Sequence, residues 1–494
     1  MLFNSVDFIV FFPVVFAILL VIPKRARYIW LLVSSYFFYM SWNPKYALLI
    51  LASTFITWLS ALLVSRYRAE ERKKANICLV VCVVLNLAIL VVFKYAGFLF
   101  ASLNDVFSRA GITFFDRRFD LLLPVGISFY TFQALSYSID VYRNNIQPER
   151  NFLRYALYVS FFPQLVAGPI ERSVSLLPQL QNIENVNLFD YDRIRDGFLL
   201  MMWGFFQKLV IADRAALLVK PVIRDYGDYG LIELSIATVL FAVQIYCDFG
   251  GYTNIARGAA AIMGIRLMQN FRQPYLATGI RDFWKRWHIS LTSWFTDYVY
   301  IPLGGNRRGT LRTYVNTVIV FALSGLWHGA SWNFVAWGLI HAFYRVAESL
   351  ALHLRAKLSA RMPVSVPPPL TLSGRIGRIL VTFALTCFAW IFFVSPDLTH
   401  ACNIIRQMAS VLIASPDLLG LGLDLTNWRV LFFAVIVLGA VDILHEKGVS
   451  VFDAVSKQQL WFRWTLYLGL IWSVLLFGIY GAAYDESAFI YFRF

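Results

Sequence analysis

Charge is scarce in this chain. Of its 494 residues only 15% are Asp, Glu, Lys or Arg, against about 25% in an ordinary soluble protein. Acidic residues are the scarcer kind, 29 against 44 basic, which leaves a net charge of +15. A basic excess of that size could point to nucleic acid, but there is no extended basic domain. The basic residues stand in short loops between apolar runs, the pattern of cytoplasmic loops in a membrane protein, so no nucleic-acid partner is expected. Cysteine is rare, five residues (78, 82, 247, 387, 402) in or beside apolar segments. Cys78 and Cys82 lie one helical turn apart without a nearby histidine, so the five read as small buried residues and no metal site is expected. There is no G-x-S-x-G elbow, no H-E-x-x-H helix and no P-loop, which removes support for a standard serine hydrolase, a zincin or a P-loop nucleotide site.

What the chain has in quantity is apolar and aromatic residues, 59% and 17%. Apolar stretches fall at about 8–22, 28–42, 46–65, 76–100, 121–141, 152–168, 197–219, 231–247, 313–330, 331–352, 376–394, 428–444 and 464–483. Several approach the ~20 residues that span a bilayer. Shorter ones, interrupted by Pro and Gly, read as re-entrant or tilted pieces covered by protein or a wet cavity. The expectation is an all-α polytopic membrane protein with about 11–13 transmembrane or re-entrant helices. It would form a single membrane-embedded domain over 1–494, without internal repeats. The first 22 residues carry Asp7 and lack a basic n-region, so they read as a retained helix and not a cleaved signal. Lys24, Arg25 and Arg27 follow the first helix, and Arg66, Arg68, Arg72, Lys73 and Lys74 follow the third. Basic loops belong in the cytoplasm, which places the N-terminus outside and the 101–120 loop, despite Arg117 and Arg118, outside as well. The 353–375 connection, with PVSVPPPL inside it, reads as a cytoplasmic linker, and 396–427 as an extracytoplasmic connection.

Residues 281–345 hold three of the six histidines. His288 and His328 each follow a tryptophan, and His328 lies in the apolar run LSGLWHGASW, where an ionisable group marks a functional site by default. The bland alternative is a histidine that bonds a neighbouring carbonyl. Basic residues flank 287–302 on both sides, so this segment is expected to dip into the protein and return, or else to lie in the interface. His341, thirteen residues beyond His328, reads as a helix-interface histidine, and His353, His400 and His445 as solvated or capping residues. GGYTNIARG reads as glycines for tight turns and close helix approach. PLGGNRRG is either a structural turn or a phosphate-binding one, through exposed amides and Arg307 and Arg308. Arg281, Asp282, Lys285 and Arg286 suit i,i+4 pairs on one helix, either as a solvated interface helix or as part of a donor site.

Five segments in one order carry a family resemblance: FPQLVAGPIER (162–172), YCDFGGYTNIARG (246–258), QNFRQPYLATGIRDFWKRWHISLTSW (269–294), YIPLGGNRRG (300–309) and LSGLWHGASWNFVAWGLIHA (323–342). With MLFNS at the start and FIYFRF at the end, they resemble the membrane-bound O-acyltransferases, in particular the bacterial alginate O-acetylation branch. The resemblance covers almost the whole chain, with its signature core at about 160–345. It implies helices around a central funnel and puts the family's defining histidine at His328. A second site position falls at His288, where sterol and diacylglycerol relatives have asparagine. It implies acetyl transfer from a cytoplasmic thioester, acetyl-CoA as co-substrate and no tightly bound cofactor. The acceptor would be a hydroxyl of an exopolysaccharide or of peptidoglycan outside the bacterial inner membrane, reached directly or through a partner acetyltransferase. Such chemistry needs a base, an oxyanion donor and exclusion of water. His328 is the expected base and His288 the expected donor or positioning group, with Arg307, Arg308 and Lys285 as candidates to hold the acyl donor. Trp327, Asn333 and Ser324 stand close enough in sequence to line the site. Transfer of D-alanine toward teichoic acids is the related alternative. A proton-coupled transporter without covalent chemistry is the alternative of another class, since broken helices and intramembrane histidines suit it too.

Overall fold

In hydrocarbon a backbone amide has no water to bond, so each apolar stretch must satisfy its own hydrogen bonds as a helix. The computed structural model describes residues 1–108, 111, 124–166, 168–359, 371–411 and 420–480. These residues are helical with connecting turns, and no strand occurs among them. The chain is an all-α polytopic membrane protein. Arg117, Arg118, PVSVPPPL and FIYFRF fall outside the described residues. Among the described residues six helices are long and apolar enough to cross a membrane: Tyr46–Tyr67, Arg72–Ser108, Leu231–Ile262, Leu372–Val394, Leu425–Glu446 and Leu460–Phe477. The shorter apolar stretches form short or broken helices, such as Phe152–Ser160 and Phe162–Leu165 within the FPQLVAGPIER region.

The chain divides into two compact units. One comprises Met1–Met201 and Tyr252–Met268, the other Met202–Gly251 and Gln269–Phe494. The chain passes from one to the other inside the helices Tyr191–Phe205 and Leu231–Ile262 and again between Met268 and Gln269.

In the first unit, buried polar side chains staple helices together. Ser53 donates to Asn86 Oδ1 at 2.6 Å, joining Tyr46–Tyr67 to the long helix Arg72–Ser108. Tyr155 donates to Thr57 Oγ1 at 2.8 Å. Glu171, fully buried in the connection before helix Ser173–Gln181, accepts the Met268 backbone N–H at 2.5 Å. Burial raises its carboxyl to about 7. Gly197 and Gly258 let two helices touch: a Cβ on Gly258 would lie 2.4 Å from the Gly197 carbonyl oxygen.

The second unit is built on the hairpin of Thr310–His328 and Trp332–Ser359. Glycines let these helices meet backbone to backbone. A Cβ on Gly325 would come within 2.2 Å of the Phe334 carbonyl oxygen, and one on Gly338 within 2.2 Å of that of Phe321. Gly251 does the same against Gly204, at 2.6 Å. In GGYTNIARG, therefore, Gly251 and Gly258 serve close helix approach. Further along, Arg286 pairs with Asp282 at 2.8 Å, the i,i+4 pair that the spacing suggests, and with Glu446 at 2.6 Å. Arg375 shares Glu446 at 2.8 Å, which ties three helices at one end. Deeper in the unit, Lys208 on a π-helical stretch, Phe206–Ala212, sits between Asp213 at 2.8 Å and Asp248 at 2.7 Å. All three are buried.

Candidate active site

His328 is the last residue of its helix and only 2% exposed. The glycines at 325 and 329 press this helix end against Phe334, so the histidine is held where the hairpin turns. His288 is reached by another route. The short helix Ile280–Arg286 ends, the backbone swings through the left-handed region at His288 (φ +44°), and helix Ile289–Phe295 begins. Asn270 fixes that turn: its carbonyl oxygen accepts the Ile289 N–H at 2.9 Å and its Oδ1 the Ser290 N–H at 3.3 Å. Trp287 anchors the preceding residue, its buried ring 4.9 Å from Phe271 and 5.1 Å from Trp390. His288 is thus displayed into the unit, fully buried, on a short dipping segment. Burial pushes its imidazole down to about 3, so it is neutral at pH 7.

The two histidines, forty residues apart in sequence, face each other with ring centroids 6.3 Å apart. Trp327 bridges them, 5.7 Å from His288 and 5.0 Å from His328. Phe249 closes the His288 side at 4.8 Å, while Trp337 and Phe393 close the His328 side at 4.9 and 5.3 Å. The shell buries both imidazoles, and a buried setting suits chemistry on a thioester, which needs water kept out. Beside it lies a cavity of about 710 Å³, lined by Lys220, Gln244, Gly329, Phe334, Phe393 and His400 among others. Its size fits a small-molecule site.

The remaining expected residues are placed as follows. Asn333 is buried but turned to structure, donating to the carbonyls of Phe392 and Ser395 at 3.2 and 2.8 Å. Ser324 is buried one turn before His328. His341 accepts from Trp284 Nε1 through Nδ1 at 3.2 Å, as an interface histidine does. His400 donates to or accepts from the chain near Ile223 and forms part of the cavity wall. Arg307, Arg308 and Lys285 are exposed. The turn bearing the arginines is held by Asn316, which donates to the carbonyls of Leu303 and Gly305, and Gly304, Gly305 and Gly309 adopt positive φ. It precedes the nineteen-residue helix that ends at His328, so at 1.5 Å per residue about 27 Å separate the two ends. Among the described residues no cluster of His, Cys, Asp and Glu could hold a metal ion. Phe249, Asn270, Trp337 and Phe393 are parts of the site that sequence reasoning passed over. Only Asn270 offered a signal, as a polar residue just before the FRQPYL turn.

Comparison with known proteins places the chain in a family. The family model for MBOAT, the membrane-bound O-acyltransferase family, matches residues 143–390. The probable alginate O-acetylase AlgI of Pseudomonas aeruginosa is 35% identical over 419 residues, 83% of this chain and 75% of its own length. The peptidoglycan O-acetyltransferase of Helicobacter pylori is 33% identical over 449 residues, 83% of this chain and 80% of that one. The teichoic acid D-alanyltransferase of Streptococcus thermophilus is 27% identical over 289 residues, 55% of this chain and 68% of that one. A family-model match over half of the chain and relatives named for O-acetylation settle the class: the chain belongs to the membrane-bound O-acyltransferase family and is an O-acyltransferase.

Proposed function

We propose that this enzyme takes an acetyl group from acetyl-CoA on the cytoplasmic side of a bacterial inner membrane. It delivers the group to a hydroxyl of an extracytoplasmic polysaccharide, directly or through a partner acetyltransferase. The observation that carries the reading is the meeting of His288 and His328 at 6.3 Å inside a buried aromatic shell beside a cavity. Two relatives that each share 83% of the chain are named for O-acetylation, of alginate and of peptidoglycan. The relative named for D-alanyl transfer shares 55%, which favours acetyl as the cargo.

In the proposed reaction the acceptor oxygen attacks the thioester carbonyl carbon while His328 takes its proton. The O–C bond forms, the C–S bond breaks, and the proton passes from His328 to the departing thiolate. Neutral His288 orients the reacting groups. Arg307, Arg308 and Lys285 bind the phosphates of the donor, whose long pantetheine arm then reaches along the helix toward His328. The cavity beside Gly329 admits the acceptor. The bilayer is the remaining partner.

The test uses full-length protein in proteoliposomes with acetyl-CoA. His328→Ala should lower acetyl transfer by roughly 10²-fold or more through kcat, since a general base contributes about 10²–10⁴, with donor binding retained. Near-full transfer by a folded His328→Ala protein overturns the assignment.

A further inference from the structure

His341 is satisfied on one nitrogen only. Trp284 Nε1 lies 3.2 Å from His341 Nδ1, and an indole nitrogen can only donate. The lone pair is therefore on Nδ1, and the proton of the neutral ring sits on Nε2. That Nε2–H is fully buried and has no hydrogen-bond partner among the described residues. The same is true of the Nε1–H of Trp337. The two rings lie 5.0 Å apart at 71°, and the Trp337 ring is 4.9 Å from His328.

A buried donor without an acceptor is costly and rare. Two on neighbouring rings, one of them packed against the candidate base, are suited to a partner that appears only during reaction. Acyl transfer supplies one, because the carbonyl oxygen of the thioester becomes negatively charged as the acceptor attacks. An acyl group that reaches His328 comes alongside Trp337, since Phe393 touches both rings, at 5.3 and 5.2 Å, and also lines the cavity. We propose that Trp337 Nε1–H and His341 Nε2–H form the donor pair that stabilises this oxyanion, so that both are catalytic residues. The inference rests on the acyl-transfer reading of His328. The competing role is packing, with each N–H pointed at a neighbouring ring face.

The full-length protein in detergent decides between them, with acetyl-CoA cleavage as the activity and binding of the thioether S-ethyl-CoA as the control. Trp337→Phe and His341→Met should each lower kcat by about 10²-fold, the loss seen when one oxyanion donor is removed. Binding of S-ethyl-CoA should change by about twofold at most, because the thioether develops no oxyanion. His341→Gln accepts from Trp284 through Oε1 and still donates through Nε2, so it should stay within about tenfold of the wild type. Near-normal kcat in folded Trp337→Phe or His341→Met overturns the proposal. So does a His341→Gln protein as inactive as His341→Met. If neither donor-free variant folds, the glutamine variant decides: activity within tenfold supports the pair, and a loss of two orders overturns it. An inactive His328→Ala beside fully active Trp337→Phe and His341→Met would sink the donor pair alone, while an active His328→Ala would sink the reading beneath it.

Discussion

At the scale of the residue, strain and burial mark where the fold invests in function. His288 occupies the left-handed region, which costs an L residue roughly 1–2 kcal/mol. The bonds from Asn270 and the packing of Trp287 offset it, and what the strain secures is the direction of one imidazole. Glu171 is a second buried investment. Burial lifts its carboxyl from the ordinary 4.5 to about 7, so the folded protein favours the protonated form. Its contribution to stability is full below about 4.5 and declines as pH rises to about 7, by about 3 kcal/mol in all. Glu171→Gln, which can still accept from Met268, should remove this decline. Melting temperatures between pH 5 and 8 should fall for the wild type and stay level for the variant. Parallel curves would show that the carboxyl is ionised throughout. At this scale the sequence was partly legible. An ionisable group in LSGLWHGASW is an anomaly, so His328 stood out, and the second Trp-His dipeptide drew the eye to His288. Trp337 and Phe393 left no such trace, because an aromatic residue in an apolar helix looks the same whether it meets lipid or an imidazole.

At the scale of the element, the hairpin that carries His328 depends on missing side chains. Gly325 stands three residues before the histidine, and a methyl there would press on the Phe334 carbonyl. Gly325→Ala should force the helices apart at a cost of about 1–3 kcal/mol, and it should lower acyl transfer at least tenfold by moving the imidazole. Gly377→Ala is the matched control: its Cβ meets open space within helix Leu372–Val394, so stability should hold or rise by about 0.5–1 kcal/mol with activity unchanged. Equal activity for both variants would remove close approach as the reason for Gly325. The glycines of GGYTNIARG and the break after His328 were visible in the sequence as punctuation. Which carbonyl each glycine would meet was not, because that depends on the partner helix. The π-helical turn at Phe206–Ala212 was equally hidden, since an added residue in a helical turn changes neither composition nor apolar run length.

At the scale of the whole molecule, the fold class was the most legible feature, because hydrocarbon admits few backbone solutions and the apolar runs are long. Among the described residues six helices are long and apolar enough to span. The apolar runs near His328 form the helices Thr310–His328 and Trp332–Ser359, and others fold as short or broken pieces, as the mixture of spanning and re-entrant segments implies. The proposed orientation rests on the basic loops. A cysteine beside Arg72 should react in intact cells only with membrane-permeant thiol reagents, and one beside Asn104 with impermeant reagents as well. Reversed labelling would invert the orientation and strand the arginine turn on the side without acetyl-CoA.

The cluster of Lys208, Asp213 and Asp248 has a consequence for how the protein is made. A lone lysine at the centre of an inserting helix costs about 2.5–3.5 kcal/mol on translocon scales. Asp213 emerges from the ribosome five residues after Lys208, but Asp248 follows only after the intervening turn. The segment is then best released into lipid as a helical hairpin, once both carboxylates are in reach, and not helix by helix. An arrest-peptide force profile should show one late pull after Asp248 has entered the translocon, which Lys208→Met would split into two, the first of them early. A biphasic profile in the wild type would mean that the ammonium crosses into the bilayer before its second counter-ion has been synthesised.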